Sequence, residues 1–417
     1  MYQRQLLSQF AFVIVLGCTI FSVGQAFAAT ENLIHSFNGQ GDGGQPDAGL
    51  TPDGTGSFYG TTFVGGTYNC GVVYKLTHTT SGWAEVVLYS FKGGSSDGGN
   101  PSGQLAIDSA GNIYGTTRSG GKGYGINGGP GYGILYQLSP TSAGWTETVL
   151  HFFFDDGATS GLIIDAAGSL YGETGGGGAS LAGTIYQMKR DASAWEYRTL
   201  YNFQSGNDGQ YPSGGLIFDA KGNLYGTTIL GGRLSFGTVF ELQHANDTWS
   251  ESLLYTFQSI VDGVGPQCAL VFDADGNLYG TTAYGGDTSC ANGYGCGEVF
   301  ELSPSGDGVW SETTLYGFTG SPDGHSPLVG LTRDGAGDLF GTTSNGGTVN
   351  AGALFELQRQ TDGSFAESIV YSFNNNRDGG YPSTPLTLEG TTFFGTTGSG
   401  GENSQGVVFA FPGLATE

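Results

Sequence analysis

Short apolar runs separated by Gly, Asp and Asn recur along the whole chain. The stretch GGLIFDAKGNLYGTTILGGRLSFGTVFELQHANDTWSESLLYTF, residues 214–257, contains four of them: LIFD, NLYGTT, GTVFEL and WSESLLYTF. These runs are rich in β-branched and aromatic residues, and none has the length or period of a helix. Asp-Ala-Lys-Gly-Asn joins the first two runs as a tight turn. The pattern therefore predicts a four-stranded antiparallel meander.

This unit repeats along the chain at intervals of 54 to 61 residues. Its marker is YGTT or a close variant, which begins at Tyr59, Tyr114, Tyr171 (as YGET), Tyr225, Tyr279, Phe340 and Phe394 (both as FGTT). Because LIFD-type runs are apolar on consecutive residues, both faces of each small sheet must be covered. Identical sheets arranged around an axis cover one another, which is the architecture of a propeller. The Gly of the marker is expected to let neighbouring backbones approach closely.

The number of runs predicts how the ring closes. Leu33–Phe37 (LIHSF) matches the fourth strand of the unit, and Gly406–Phe411 (GVVFAF) matches the third. Between them the chain completes six full sets of four strands, so the N-terminal strand supplies what the last set lacks. We therefore expect an all-β protein, one seven-bladed β-propeller over residues 29–417 whose last blade is closed by the N-terminal strand.

The repeated pattern P-x-GGL-x-x-D-x-x-GNLYGTT-x-x-GG…GTVFEL…W-x-E-x-x-LY-x-F resembles the GloVer-type tandem-repeat family of bacterial exported proteins. The resemblance covers residues 33–411. It implies an exported protein of a family with varied surface anchors, but no general activity and no catalytic residue. Many members carry a C-terminal anchor, which this chain lacks after Phe411, so free secretion or periplasmic residence is expected.

The N-terminus has the pattern of a secretory signal. Arg4 precedes an apolar run over residues 10–23, and Ala26-Phe27-Ala28 forms an A-x-A cleavage site. A signal peptide over residues 1–28 is therefore expected, with a secreted or periplasmic monomer as the mature form. The alternative is lipidation at Cys18, which follows Val15-Leu16-Gly17. The apolar run is too short for a membrane-spanning helix, and no second apolar segment follows it.

Charge and cysteine content narrow the function classes further. A formal net charge of −24 argues against nucleic acid or an anionic membrane as partner. The partner classes compatible with this charge are neutral glycans, cations and basic envelope or extracellular proteins. The alternative is that the negative charge serves solubility alone. The spacing of Cys70, Cys268, Cys290 and Cys296 matches no zinc motif, so no metal or cofactor is expected, with a cation such as calcium as the alternative. Cys290 should pair with Cys296, or else with Cys268 in the same blade, whereas Cys70 should be too distant for either.

Each link between blades carries an Asp-Gly pair. With the hairpins on one face of the ring, the links and the loops after YGTT should share the opposite face. A ring of carboxylates there, near the mouth of the axial channel, is a candidate binding site for a cation or for glycan hydroxyls. The alternative is that each Asp shapes a turn. The seven residues are Asp42, Asp97, Asp156, Asp208, Asp262, Asp323 and Asp378.

Breaks in the repeat supply the other candidates. In blade 3, Glu173 replaces the first Thr of YGTT, and Asp155 and Asp156 lie in the link. A carboxylate pair is what a glycosidase requires, and repeat drift is the alternative explanation. The loops at 122–132 and 287–296 are enlarged and contain Tyr between glycines. Together with two linker tyrosines, these rings are candidates for sugar stacking, with local packing as the alternative. The five tyrosines are Tyr124, Tyr132, Tyr211, Tyr294 and Tyr381.

Two function classes follow from these patterns. The first is an exported, non-catalytic binding or scaffold propeller for glycans or envelope partners. The second is a polysaccharide-cleaving enzyme, a glycoside hydrolase or lyase, with its site at the channel mouth. Five tryptophans recur at one repeat position, with Phe365 in blade 6, and are interpreted as structural: Trp83, Trp145, Trp195, Trp249 and Trp310.

Overall fold

A computed structural model describes residues 29–122, 131–154, 157–158, 160–191, 194–306 and 308–416. The predicted signal peptide therefore lies outside the described residues. Within them the chain forms seven small antiparallel sheets around an axis, and the one helical segment is a 3₁₀ turn at Ala291–Gly293. The prediction of an all-β, seven-bladed propeller is confirmed.

Within each blade the strands run in chain order from the axis outward, except in the last. Blade 1 contains Thr51–Pro52, Ser57–Thr62, Val72–Thr79 and Gly82–Ser90. Blade 2 contains Gly98–Ile107, Ile113–Gly120, Ile134–Thr141 and Gly144–Phe152. Blade 3 contains Ile163–Ile164, Leu170–Thr174, Thr184–Arg190 and Trp195–Asn202.

In the four remaining blades the innermost strand is divided into two short pieces. Blade 4 contains Gly209–Pro212 with Ile217–Phe218, then Leu224–Gly231, Thr238–Ala245 and Thr248–Thr256. Blade 5 contains Val264–Pro266 with Val271–Phe272, then Leu278–Tyr284, Glu298–Gly306 and Val309–Gly317. Blade 6 contains Thr332–Arg333, Leu339–Thr343, Ala353–Arg359 and Phe365–Ser372, with Gly324–His325 paired to Asn345–Gly346 at its edge.

Blade 7 closes the ring with strands from both ends of the chain. It contains Gly380–Pro382 with Thr387–Glu389, then Thr392–Ser399, Val407–Phe411 and Asn32–Ser36. Leu33 pairs with Phe409 and Ser36 with Val407. The predicted pairing of the N-terminal strand with the last strand is confirmed.

The inner strands are shorter than the apolar runs suggest, because part of each run turns away from its own sheet. In blade 4, Ser213–Leu216 separates the two strand pieces and packs against the next blade. A Cβ placed on Gly214 would come within 2.7 Å of the carbonyl carbon of Cys268, and Thr227 Oγ1 donates a hydrogen bond to the carbonyl of Cys268 at 3.1 Å. In this segment, packing and hydrogen bonds to blade 5 thus replace strand pairing within blade 4.

The core lies between the blades rather than inside any one of them. The cluster of Tyr171, Ile185, Leu216 and Phe240, for example, joins blades 3 and 4. At its outer end Trp249 packs edge-on against Tyr171, with ring centroids 6.1 Å apart. The same contact between a recurrent aromatic and the YGTT ring of the preceding blade joins Trp195 with Tyr114, Phe365 with Tyr279, and Trp83 with Phe394.

The Gly of YGTT has a different role from the one predicted. It lies opposite an aromatic residue of the third strand in the same blade, as Gly226 lies opposite Phe240. A Cβ on Gly226 would meet the Phe240 ring at 2.6 Å. The residue therefore admits a ring within the blade and does not serve backbone contact between blades. Such Gly–aromatic cross-strand pairs also stiffen a sheet that glycine would otherwise weaken.

The predicted disulfide between Cys290 and Cys296 is confirmed, with the two Cα atoms 5.5 Å apart. It closes the enlarged loop of blade 5. Cys268 is buried and free, and Cys70 is partly exposed and free.

Candidate functional site

The links between blades and the loops after YGTT share one face, as the sequence predicted. The amide of Gly121, in the loop after YGTT of blade 2, donates to the carbonyl of Asp97 at 2.9 Å. Gly232 and Asp208 form the same bond in blade 4, and Gly347 and Asp323 form it in blade 6. The ring thus has a linker face, made by these segments, and a hairpin face, made by the DAKGN-type turns.

An axial cavity of about 620 Å³ is formed by the inner segments of all seven blades. Most of these segments follow a linker proline and end at the buried Leu of the first run, as in Pro212–Leu216. Because the segments are equivalent, differences between them decide the chemistry of the wall. The main polar side chains in that wall are Asp47, Gln104, Arg118, Ser213, Gln267 and Ser383.

Asp47 and Arg118 are the only charged residues among the described residues that line this cavity. The Arg118 guanidinium lies 3.4 Å from the Asp47 carboxylate and 5.9 Å from the centroid of the Phe63 ring. Burial raises the pKa of Asp47, and the Arg118 charge opposes that rise. Asp47 takes the position that Ser213 and Ser383 occupy in their blades, and Arg118 takes that of Ile229. The pair breaks the symmetry of the wall, and the PDAG linker of blade 1 is the sequence signal that would have revealed it.

Two tyrosines at the rim of the cavity adopt a backbone conformation that bulky residues rarely adopt. The φ angles of Tyr211 and Tyr381 are 60° and 55°. Each tyrosine lies two residues before a residue of the cavity wall, and each ring is partly exposed. The equivalent residues of four other blades share this conformation: Gln45, Asn100, Gly265 and Ser326, with φ angles of 54°, 55°, 66° and 55°. A bulky residue in the left-handed region is an outlier that the surrounding structure has to hold in place.

The bonds that hold these two residues are the same in both blades. The amide of Tyr211 donates to the carbonyl of Ala182, and the amide of Tyr381 to that of Ala351, both at 2.8 Å. The fold thus imposes the left-handed conformation, and the side chain that occupies it is free to vary.

The six linker aspartates that the structure describes are engaged as hydrogen-bond acceptors and do not line the axial cavity. In five links the Asp accepts a bond from the hydroxyl of a tyrosine on the outer strand of the preceding blade: Tyr89 to Asp97, Tyr201 to Asp208, Tyr255 to Asp262, Tyr316 to Asp323 and Tyr371 to Asp378, at 2.9 to 3.1 Å. Most of these aspartates also accept hydrogen bonds from backbone amides, as Asp97 does from the amide of Lys92 at 2.9 Å. At Asp42 the partner is His35, at 3.4 Å. This geometry supports the turn interpretation of these residues.

The remaining tyrosine candidates are dispersed. Tyr132 is half-buried and packs in the cluster of Phe153 and Leu162. Tyr294 is 68 % exposed in the loop closed by the disulfide. Tyr124, Asp155 and Asp156 lie outside the described residues, so the predicted carboxylate pair in blade 3 stays a prediction.

Glu173 is fully buried at the seam between blades 3 and 4. Its Oε1 accepts a bond from the amide of Gly215 at 2.8 Å, whereas its Oε2 has no hydrogen-bond partner. Burial raises the pKa of Glu173 to about 7, and the bond from Gly215 partly opposes that rise. Gly215 lines the axial cavity and Glu173 does not, so Glu173 supports the wall from behind.

Within the part of the chain that the structure describes, no three His, Cys, Asp or Glu side chains converge on a metal position. Among those same residues, no helix is long and apolar enough to cross a membrane.

The model of the Gloeobacter/Verrucomicrobia repeat matches residues 17–204, 122–292 and 288–416. The chain belongs to this repeat family. It has no detectable match among curated proteins.

The solved structures that resemble it share its architecture at low sequence identity. A 6-phosphogluconolactonase-like protein from Bacteroides fragilis superposes with a TM-score of 0.52 at 13 % identity, over 81 % of this chain and 86 % of that one. An ulvan lyase, a polysaccharide lyase, superposes with a TM-score of 0.51 at 12 % identity, over 93 % of this chain and 96 % of that one. At such identities the likeness concerns the fold and not the activity.

Proposed function

We propose that this protein is an exported, non-catalytic binding propeller that takes up a neutral glycan, or a glycan-bearing envelope partner, on its linker face above the axial cavity. Export rests on the signal-peptide pattern of residues 1–28. The preference for a neutral ligand rests on the net charge of −24, since a polyanion would be repelled by the acidic surface.

The observation that carries this proposal is the partial exposure of the Tyr211 and Tyr381 rings beside the axial cavity. Their backbone conformation recurs at the equivalent residues of other blades, so it belongs to the repeat and has no bearing on a ligand. What distinguishes these two blades is the large aromatic side chain at that position. A partly exposed tyrosine offers an apolar face for a sugar ring and a hydroxyl for its polar groups.

The cavity wall supplies the polar complement. The amides of Gln104 and Gln267 can donate and accept hydrogen bonds, as sugar hydroxyls require. The Asp47–Arg118 pair adds a charged acceptor and a charged donor with no net charge. Charge-assisted hydrogen bonds are the strongest polar contacts available to a neutral ligand. These groups orient a ligand that the tyrosine rings anchor.

The test uses the mature protein, residues 29–417, in affinity electrophoresis through gels that contain individual neutral polysaccharides. Y211G/Y381G should weaken retention by about tenfold or more in apparent Kd. The matched control is K221A/D275A on the hairpin face, which should leave retention unchanged. Full retention by Y211G/Y381G together with loss in K221A/D275A would place the site on the hairpin face and reject the proposal.

A second readout separates binding from catalysis. Release of reducing ends or unsaturated products from any polysaccharide that the wild-type protein retains would contradict a non-catalytic role and favour the polysaccharide-cleaving alternative. Retention without release supports binding.

A further inference from the structure

A pair of acidic side chains recurs in the seams between blades, away from the axial cavity. One member is the Asp of the interblade link. The other is the Glu of the W-x-E motif on the outer strand of the following blade, which faces that Asp. We call each such pair a carboxyl seam. The pairs are Asp42 with Glu85, Asp97 with Glu147, Asp208 with Glu251, Asp262 with Glu312, Asp323 with Glu367 and Asp378 with Glu31.

Most hydrogen-bond donors in these seams go to the Asp, and the Asp262–Glu312 seam differs in that the Thr314 hydroxyl donates to Glu312 at 3.3 Å. The hydroxyl of the outer-strand tyrosine donates to Asp Oδ2, as Tyr89 does to Asp97 at 2.9 Å. In contrast, one carboxyl oxygen of the Glu is buried without a hydrogen-bond partner in five of the seams: Oε1 of Glu31, Glu85, Glu147, Glu251 and Glu367. A carboxylate there would carry a second negative charge beside the Asp in a site with few donors.

A protonated Glu resolves this conflict, because its hydroxyl adds a donor and removes a charge. Tyr201 shows the arrangement, since its hydroxyl donates to Asp208 and is also within hydrogen-bonding reach of Glu251. One tyrosine hydroxyl supplies a single proton, so two carboxyl groups around it require a second one. Burial, and then the charge of the neighbouring Asp, raise the pKa of Glu85, Glu147, Glu251 and Glu367 to about 7.

The other charged or titratable groups that face the seams do little to counter the raised pKa of the Glu residues. Lys92 faces Glu147 and lowers its pKa, but less than burial and Asp97 raise it. His35 faces Asp42, and burial lowers its pKa. The remaining groups are neutral or acidic: Tyr74 beside Glu85, Tyr136 beside Glu147, Tyr316 beside Glu367, Tyr371 beside Glu31, and Glu298 with Tyr255 beside Glu312 and Asp262.

The seam between blades 2 and 3 shows what replaces the Glu. There Tyr197 occupies the position of the Glu, and His151 that of the tyrosine. The two rings stack with centroids 3.9 Å apart and planes inclined by 9°. Burial lowers the pKa of His151 to about 4, so the ring stays neutral at higher pH. Ring stacking thus takes the place here of the contact between the tyrosine and the Glu in the other seams.

We propose that the six carboxyl seams form a proton-dependent lock on the propeller ring, which binds neighbouring blades together in mildly acidic surroundings and loosens as the surroundings become alkaline. The folded-state pKa of each seam Glu lies above the ordinary value of 4.5. Its stabilising contribution is therefore complete below pH 4.5 and is lost as the pH rises through about 7. The lock suits an exported protein that meets external pH directly.

The test compares thermal unfolding of three forms of residues 29–417 between pH 4.5 and pH 8.5. The wild-type Tm should fall by about 5 °C or more between pH 5 and pH 8. E85Q/E147Q/E251Q/E367Q keeps the shape and neutrality of the protonated side chains, so at least half of that fall should disappear. The control E196Q/D275N/E389Q/E402Q removes the same number of charges at exposed positions and should keep the wild-type slope. A flat or rising wild-type profile, or an unchanged slope in the seam variant, would overturn the proposal.

A second measurement uses the same seam variant. Infrared spectroscopy should show the carbonyl band of protonated carboxyl groups at pH 6, and this band should be clearly weaker in E85Q/E147Q/E251Q/E367Q than in the wild type. The band that remains belongs to other buried carboxyl groups, such as Glu173 and Glu298. A band of equal strength in the two proteins at pH 6, where ordinary Glu and Asp are ionised, would overturn the proposal.

Discussion

The hydroxyl of Thr387 donates a hydrogen bond to the carbonyl of Leu50 at 2.7 Å, across 337 residues of sequence. The same bond joins Thr51 to Leu105 and Thr332 to Leu386, where the separation is 54 residues. The seam that unites the two ends of the chain is therefore built like the seams between consecutive repeats. Ring closure in this protein depends on the N-terminal strand completing blade 7.

Deleting residues 29–38 should remove the outer strand of blade 7 and expose the edge of Val407–Phe411. Unpaired edges with apolar side chains promote association. The truncated protein should therefore melt at lower temperature and form oligomers, as measured by light scattering, relative to the chain that begins at Ala29. A monomer with the wild-type Tm would show that this strand does not close the ring.

Gly226→Ala should destabilise blade 4, because the added methyl group would lie 2.6 Å from the Phe240 ring. Overpacking of this kind costs roughly 1–3 kcal/mol of unfolding free energy. Urea unfolding followed by tryptophan fluorescence measures the change. The control is Gly176→Ala, where nothing lies within 4 Å, and the added Phe240→Leu change should recover part of the loss in the double variant. Equal stability of the two alanine variants would contradict the assigned role of Gly226.

Replacing the two strained tyrosines with glycine should stabilise the protein even as it weakens binding. Backbone strain of this kind costs about 1–3 kcal/mol per residue. The greater freedom of glycine in the unfolded chain opposes the gain by about 0.4–1 kcal/mol. Tyr211→Gly should thus raise the free energy of unfolding by on the order of 1 kcal/mol. A loss of stability in chemical denaturation would mean that the ring packs against the fold and is not held there for a ligand.

Glu173→Gln should change stability in a manner that depends on pH. The folded-state pKa of Glu173 is about 7 and its ordinary value is 4.5, so its contribution is complete below pH 4.5 and is lost as the pH approaches 7. The Gln variant keeps an acceptor for the Gly215 amide and should be more stable than the wild type at pH 8, with little difference at pH 4.

Glu173→Thr restores the residue found in most blades and is the matched control, since its stability should not depend on ionisation at this position. Glycan retention should be unchanged in both variants, because Glu173 lies behind the cavity wall. If the wild type releases products from a polysaccharide and Glu173→Gln abolishes that release, Glu173 has a part in turnover.

The sequence by itself determined the architecture of this protein. The short apolar runs, the turn residues between them and the count of strand types can all be read from the local sequence. Together they fix the number of blades, the order of the strands and the strand that closes the ring. The Cys290–Cys296 bridge followed for the same reason, since its partners lie in one loop. The sequence also predicted which loops share a face, because an antiparallel meander sends alternate turns to opposite ends of the blade.

The tertiary structure alone decided which side chains meet. Asp47 and Arg118 come from different repeats and are joined only because inner segments of neighbouring blades converge at the axis. The linker aspartates accept hydrogen bonds from tyrosines on the outer strand of the preceding blade, as Asp208 does from Tyr201. The amide of Tyr211 is bonded to Ala182 of blade 3, and Glu173 is buried against Gly215 of blade 4. A repeat pattern describes one blade, and these contacts belong to the packing of one blade against the next.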